Sequence, residues 1–109
     1  MPRPCEVKTI RLTALAEFDL AEAQDFYAPH GSWVVAHFMQ AVDEAFSELA
    51  RTAGIHPLHF GHHRMGVPHF PFSVYYDVAG SDVIVKAVLD DRFGPDRIAA
   101  HFGPLLHVP

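Results

Sequence analysis

The sequence predicts an α+β domain in which a helical hairpin packs on an antiparallel sheet, in the order β-α-α-β-β-β-(α). Apolar residues recur at helical spacing between residues 14 and 53, interrupted once by Ala28-Pro29-His30-Gly31. Two strand-like runs, FSVYYDV and DVIVKAVL, follow on either side of Ala79-Gly80-Ser81. The 109 residues leave room for one compact domain, and thirteen aromatics, nine of them Phe, are enough to build its core. That composition excludes intrinsic disorder.

Taken in order, Glu6 to Leu12 (EVKTIRL) is rich in β-branched residues and reads as a strand ending at Thr13. The Thr13 hydroxyl can accept from a free first-turn amide, which starts a helix over about Ala14 to Tyr27. Ala16, Leu20, Ala23 and Tyr27 fall on one face of it; Glu17, Asp19, Glu22 and Asp25 supply the solvated remainder. Ser32 is placed to cap a second helix from about Trp33 to Ala53, with Gly54 able to end it in a left-handed conformation. Its stripe is Val35, Phe38, Val42, Ala45 and Leu49, widened by Met39, Phe46 and Ala53. The short connector makes these helices an αα-hairpin with one apolar side.

From Ile55 to His63 the pattern collapses to IHPLHFGHH, a loop. Arg64 to Pro68 reads as a short edge strand, since Pro68 and Pro71 cannot donate to a ladder. Phe72 to Val78 is a strong strand in which Phe72, Val74 and Tyr76 share one face and Ser73, Tyr75 and Asp77 the other. Asp82 to Leu89 is apolar almost throughout, which predicts burial on both faces and a central position. Asp90 to Pro95 turns away, and Asp96 to Phe102 forms a short last helix closed by Gly103 and Pro104.

Charge and processing narrow the function classes. Eight Lys and Arg against thirteen Asp and Glu give a formal charge of −5, with a pI near 5.9 and mean hydropathy of +0.09. Generic nucleic-acid binders depend on cations that neutralise phosphates, so this balance argues against that class. The acidity is local: Thr13 to Gly54 holds seven carboxylates and one cation, Arg51, whereas residues 55–109 are nearly neutral and hold seven of the nine histidines. Cys5 is the sole cysteine, which rules out an intrachain disulfide and suits a reducing compartment. The segment Met-Pro-Arg-Pro-Cys-Glu lacks a signal-peptide core, and the longest apolar run is the four residues Trp33 to Ala36. A cytoplasmic location is the expectation.

The chain resembles the RelE/ParE superfamily, the toxins of bacterial toxin–antitoxin pairs that include plasmid-stabilisation toxins. Arg64 opens the second strand, Phe70-Pro71-Phe72-Ser73-Val74-Tyr75-Tyr76 matches an FPY-x-φ-x-Y strand, and Ala87-Val88-Leu89-Asp90-Asp91-Arg92-Phe93-Gly94-Pro95 matches an AVL-D-x-RR-x-P end. LTALAEFDLAEAQDFY is similar to the first helix of the family, and the likeness covers about Val7 to Phe102. Two departures stand out: Arg92 is followed by Phe93 and Gly94, where ParE-like chains carry a second arginine, and the chain is acidic.

For ParE-like members the resemblance implies a poison of DNA gyrase that has no catalytic residue, metal or cofactor and is neutralised by a cognate antitoxin. Arg64, Tyr75, Asp90 and Arg92 are then the candidate contacts for target or antitoxin, with the aromatic strand Phe72 to Tyr76 as an exposed feature. For RelE-like members it implies metal-independent mRNA cleavage on the ribosome, which needs cations for the phosphate and a group that moves protons. Arg64 and Arg92 would be those cations, and His101 or His107 the acid or base. The same residues have a plainer reading, in which Arg64 and Arg92 pair with Asp90, Asp91 or Asp96 and His101 is an ordinary surface residue. A third reading is a degenerate member that binds a partner without toxicity. His56, His59, His62, His63 and His69 have metal-like spacing, but no HExxH or cysteine partner supports a metal site.

Overall fold

The computed structural model describes residues 7–103. The elements are β1 (Thr9–Leu12), α1 (Ala14–Tyr27), α2 (Ser32–Thr52), β2 (Leu58–His59), β3 (His62–Gly66), β4 (Phe72–Ala79), β5 (Asp82–Asp90) and α3 (Pro95–His101). A 3-10 turn over Ala28–His30 joins the first two helices. The α+β class and the order of the large elements match the sequence reading; one extra strand and one strand direction do not.

Both helices of the hairpin start where local chemistry allows. Thr13 has extended backbone angles and its hydroxyl accepts from the Ala16 N–H at 3.1 Å. The second start is made by Gly31, with φ +117°, and not by Ser32, which is already the first helical residue. A Cβ on Gly31 would sit 3.0 Å from the Trp33 ring, so this entry to α2 requires glycine. Ala16, Leu20 and Ala23 of α1 and Phe38, Ala41, Val42, Ala45 and Leu49 of α2 are buried against the sheet. Phe38 is wholly enclosed by the rings of Tyr27, Phe70 and Phe72, whose centroids lie 5.2–5.3 Å from its own.

The sheet order is β1-β5-β4-β3-β2. Strands β2 to β5 are antiparallel neighbours, but β1 runs parallel to β5, so the sheet is mixed and not purely antiparallel. The helical hairpin explains the direction. It returns the chain to the start of β1, where the Lys8 N–H donates to the Ala50 carbonyl at 2.9 Å. The chain then crosses to the far end before β2, which runs opposite to β1, so that after three reversals β5 sets out from the same end as β1. The segment predicted as a loop contains β2, the outermost strand, and β3 begins at His62 so that Arg64 lies within it and not at its start. Phe60 (φ +57°) and Gly61 (φ +83°) make the tight turn between them.

Burial on both faces is continuous in β4, where Phe72 to Tyr76 are all buried, more than in β5. In β5 the register slips by one residue, since Tyr75 pairs with Ala87 while Tyr76 pairs with Val85. Lys86 is the extra residue of this bulge. Val83 and Val85 join the hairpin core before it, and Val88 joins that core after it. Ala87 and Leu89 face the other way and form a second core with Tyr75 and Ile98 of α3, flanked by Phe93 and Phe102.

Thr13 also ties β1's end to the bulge, since its hydroxyl donates to the Lys86 carbonyl at 3.3 Å. Replacing Thr13 by Ala removes both bonds and is expected to cost about 1–2 kcal/mol. Thr13→Ser should retain most of that stability. Urea unfolding of the three proteins measures the difference.

Candidate functional site

Strand β1 accompanies β5 only as far as Val85, opposite Leu12. Beyond that point the outer edge of β5 has no strand beside it and meets side chains of α1 instead. Asp19 occupies the gap: one carboxylate oxygen accepts from the Val88 N–H at 3.0 Å and the other from His101 Nε2 at 2.8 Å. The residue is 5% exposed. Burial raises its pKa, opposed by the Val88 N–H and by His101, with Glu22 adding to the rise. One carboxylate therefore joins α1, β5 and α3.

Asp19 was expected on the solvated side of its helix and is instead in its interior. Its position at three residues after Ala16 and four before Ala23 puts it on the buried stripe. That spacing was the available signal.

Above the Asp19–His101 pair lies an open cavity of about 510 Å³ between α1 and α3. Phe18, Phe26 and Phe93 form much of its wall, and Glu22, Asp90, Arg97 and His101 its polar part. The Arg97 guanidinium lies 3.6 Å from the Phe93 ring centroid, a cation–π contact. Of the residues singled out from the sequence, Asp90 and His101 line this cavity and Arg64, Tyr75 and Arg92 do not.

The two arginines are engaged by their own chain. Arg92 grips Asp90 with Nε at 2.8 Å and Nη2 at 2.6 Å, while its backbone N–H donates to the same carboxylate at 2.8 Å. Arg92 holds the Asp90 carboxyl below the usual range against a smaller opposing effect of burial. Arg64 reaches Asp91 at 3.0 Å and the Ser73 hydroxyl at 3.2 Å, and that hydroxyl also donates to Asp91. The plainer reading of both arginines thus describes their local geometry. His101 is not an ordinary surface residue, because it is held by Asp19. His107 lies outside the described residues.

The aromatic strand is not an exposed feature. Tyr75 is 2% exposed in the second core, and burial pushes its hydroxyl above its usual pKa. The ring is part of the packing under α3, and Arg64 passes beside its hydroxyl.

The histidines disperse. His62 bonds Asp77 at 2.7 Å, and His69 lies with Trp33, His37 and Phe70 at another end of the molecule. His56 and His63 flank the buried Tyr76: the His63 ring stacks on it, its Nδ1 donates to the His56 carbonyl at 2.7 Å, and His56 Nδ1 meets the Tyr76 hydroxyl. Among the described residues, no three His, Cys, Asp or Glu side chains converge as metal ligands would. The Tyr76 oxygen also accepts from the Gly54 N–H at 3.0 Å, so the hydroxyl joins the end of α2 to the segment before β2.

No family model matches the chain, and no curated protein sequence does. Seven chains of solved structures match its fold. One, described as the chromosomal ParDE TA system from P. aeruginosa, superposes with a TM-score of 0.68 at 20% sequence identity, over 78% of this chain and 97% of that one. At such identity the likeness is one of fold. Among the described residues, no helix is long and apolar enough to cross a membrane.

Two measurements test this geometry. Asp19→Ala leaves the Val88 N–H and His101 without their acceptor and should cost about 3 kcal/mol. Asp19→Asn retains an acceptor and should cost clearly less. Burial, and then His63, lower the pKa of His56 from its ordinary 6.5. The unfolded chain therefore takes up a proton there as pH falls below 6.5 while the folded one resists, so the stability contributed at this site is present above that pH and lost beneath it. The stability difference between wild type and His56→Asn should be larger at about pH 7.5 than at about pH 5.5.

Proposed function

We propose that the chain is the toxin of a type II toxin–antitoxin pair, that it acts as a ParE-like inhibitor of DNA gyrase, and that a cognate antitoxin neutralises it. The observation that carries this reading is the extent of the fold likeness, which spans 97% of a chain from a ParDE TA system at a TM-score of 0.68. The residues quoted for the RelE/ParE resemblance support it, because they fall in matching order on β3, β4, β5 and the turn into α3.

Gyrase is favoured over mRNA as target by the state of the cations. A metal-free ribonuclease needs positive groups free to meet a phosphate and a proton-transfer group beside them. Arg92 and Arg64 are each bound to an aspartate, at 2.6 and 3.0 Å, and His101 bonds Asp19 in a cavity that neither arginine lines. A gyrase inhibitor asks for a complementary surface alone, so this arrangement does not count against it. On this reading Arg64, Asp90 and Arg92 form ordered, rigid contact points for target or antitoxin, Tyr75 supports them from within, and the protein acts in the cytoplasm without a cofactor.

Induced expression in a bacterial host tests the proposal. Filamentation with DNA-damage signalling, and loss of supercoiling activity when the purified chain is added to gyrase, are the expected results. Immediate arrest of translation would replace the reading with mRNA cleavage, and unimpaired growth with a non-toxic binding module.

A further inference from the structure

Where β1 leaves the sheet, the outer edge of β5 is answered only in part by its own chain. The Asp91 N–H donates to the Pro71 carbonyl at 2.8 Å. With the register beyond the bulge, this makes Ser73–Leu89 and Tyr75–Ala87 the bonded pairs of the β4–β5 ladder. Val88 and Asp90 fall between those pairs and turn their backbone groups outward, as the bond from the Val88 N–H to Asp19 shows. The outward carbonyl of Asp90 is also used, since it accepts from the Phe93 N–H at 3.1 Å. The Val88 carbonyl and the Asp90 N–H are left with no partner among the described residues. Both residues line the cavity, and Val88 is only 2% exposed. Backbone groups shielded in this way call for a partner.

The two open groups specify what fits them. An antiparallel neighbour exchanges both backbone bonds with a single residue. At Val88 the N–H is already taken, and at Asp90 the carbonyl is. A parallel neighbour instead uses the carbonyl of one residue and the N–H of the residue two further on, the pair that Val88 and Asp90 offer. The complement is therefore a strand parallel to β5 and in line with β1, its register fixed because Asp19 closes the edge ahead of it. Side chains add a charge to this description. A residue opposite Leu89 would share the side of Phe93 and α3, and its two neighbours would point towards α1. There Phe18, Glu22 and Phe26 stand one turn apart, the two rings 56% and 52% exposed. Asp90 is held by Arg92, whereas Glu22 has no ion-pair partner among the described residues. The whole of α1 carries carboxylates and no Lys or Arg.

We propose that the cavity takes an extended peptide segment of a partner protein, basic and apolar in alternation, which joins the sheet as a strand parallel to β5. Its central residue donates its N–H to the Val88 carbonyl and accepts from the Asp90 N–H, with an apolar side chain against Phe93. The Lys or Arg on either side of it lies along Phe18 and Phe26, within reach of Glu22. The Arg97 guanidinium over Phe93 is the same kind of contact made within the chain. A volume of about 510 Å³ falls in the range of roughly 300–1,000 Å³ typical of ligand sites. In strand addition the main chain supplies affinity and alternate side chains supply specificity, so both parts of the site are used. Charge selects a basic partner over a second copy of this chain, whose helical hairpin carries seven carboxylates and one cation between Thr13 and Gly54.

Titration of the full isotope-labelled chain with the capped peptide Ser-Lys-Leu-Lys-Ser, followed by amide NMR at low salt, tests the proposal. The Asp90 amide should move downfield and saturate, with a Kd of about 1 mM or tighter. N-methylation of the central leucine removes the donor to the Val88 carbonyl and should weaken binding about tenfold. Glu22→Gln, at an exposed position outside the core, should do the same, and Ser-Glu-Leu-Glu-Ser should bind more weakly still. No saturable shift at Asp90 by about 10 mM peptide overturns the proposal, as does binding indifferent to N-methylation or to Glu22→Gln. An Asp90 shift that follows protein concentration without peptide would assign the cavity to a second copy and equally overturn it. The outcome is independent of whether the chain inhibits gyrase.

Discussion

A carboxylate taken out of water is costly unless donors surround it, and the interior position of Asp19 is what organises this fold. β1 stops opposite Val85, which leaves a length of β5 whose amides need a partner from outside the sheet. Asp19 supplies that partner for Val88 and spends its second oxygen on His101. A methyl group at position 19 would sit on the same face of α1 but leave the Val88 N–H and His101 without their acceptor. The hairpin, the sheet and the last helix are thus registered to one another through two oxygens. The cavity between α1 and α3 opens beside this link, with Asp19 and His101 both in its lining.

The second organising feature is the self-neutralisation of the cations at the end of β5. Asp90 and Asp91 are adjacent and face opposite sides of the strand, so each recruits its own arginine, Arg92 on one side and Arg64 on the other. Neighbouring carboxylates that share no cation avoid repelling each other across a single site. Both pairs tie the turn into α3 to the strands before it, and Phe93 lies beneath the Arg97 guanidinium.

Much of the fold was legible because its signals are local. Thr13 as a cap, the stripe from Phe38 to Leu49 and the partition of Phe72, Val74 and Tyr76 from Ser73 and Tyr75 all follow from periodicity or a single hydroxyl. Three features were not, each for a different reason. The parallel pairing of β1 with β5 joins segments over seventy residues apart and leaves no mark in either. The β2–β3 turn is written Phe60-Gly61, and a phenylalanine does not announce a left-handed position. Asp19 had the right spacing, but its charge suggested solvent, and only the amide left free by β1 explains its burial. For the site, the pairing of Arg64 and Arg92 with nearby aspartates was readable as an alternative. The link from His101 to Asp19 across 82 positions was not.

The bulge at Lys86 gives β5 two different structural addresses. Ahead of it, the strand reports to the helical hairpin alone through Val83 and Val85. After it, successive residues alternate between that core and the one beneath α3, with Val88 in the first and Ala87 and Leu89 in the second. A volume change at Val83 is therefore felt on one side of the molecule, whereas one at Leu89 is transmitted towards α3 and the pocket wall. A single inserted residue has made one half of the strand serve one core and the other half the boundary shared by two.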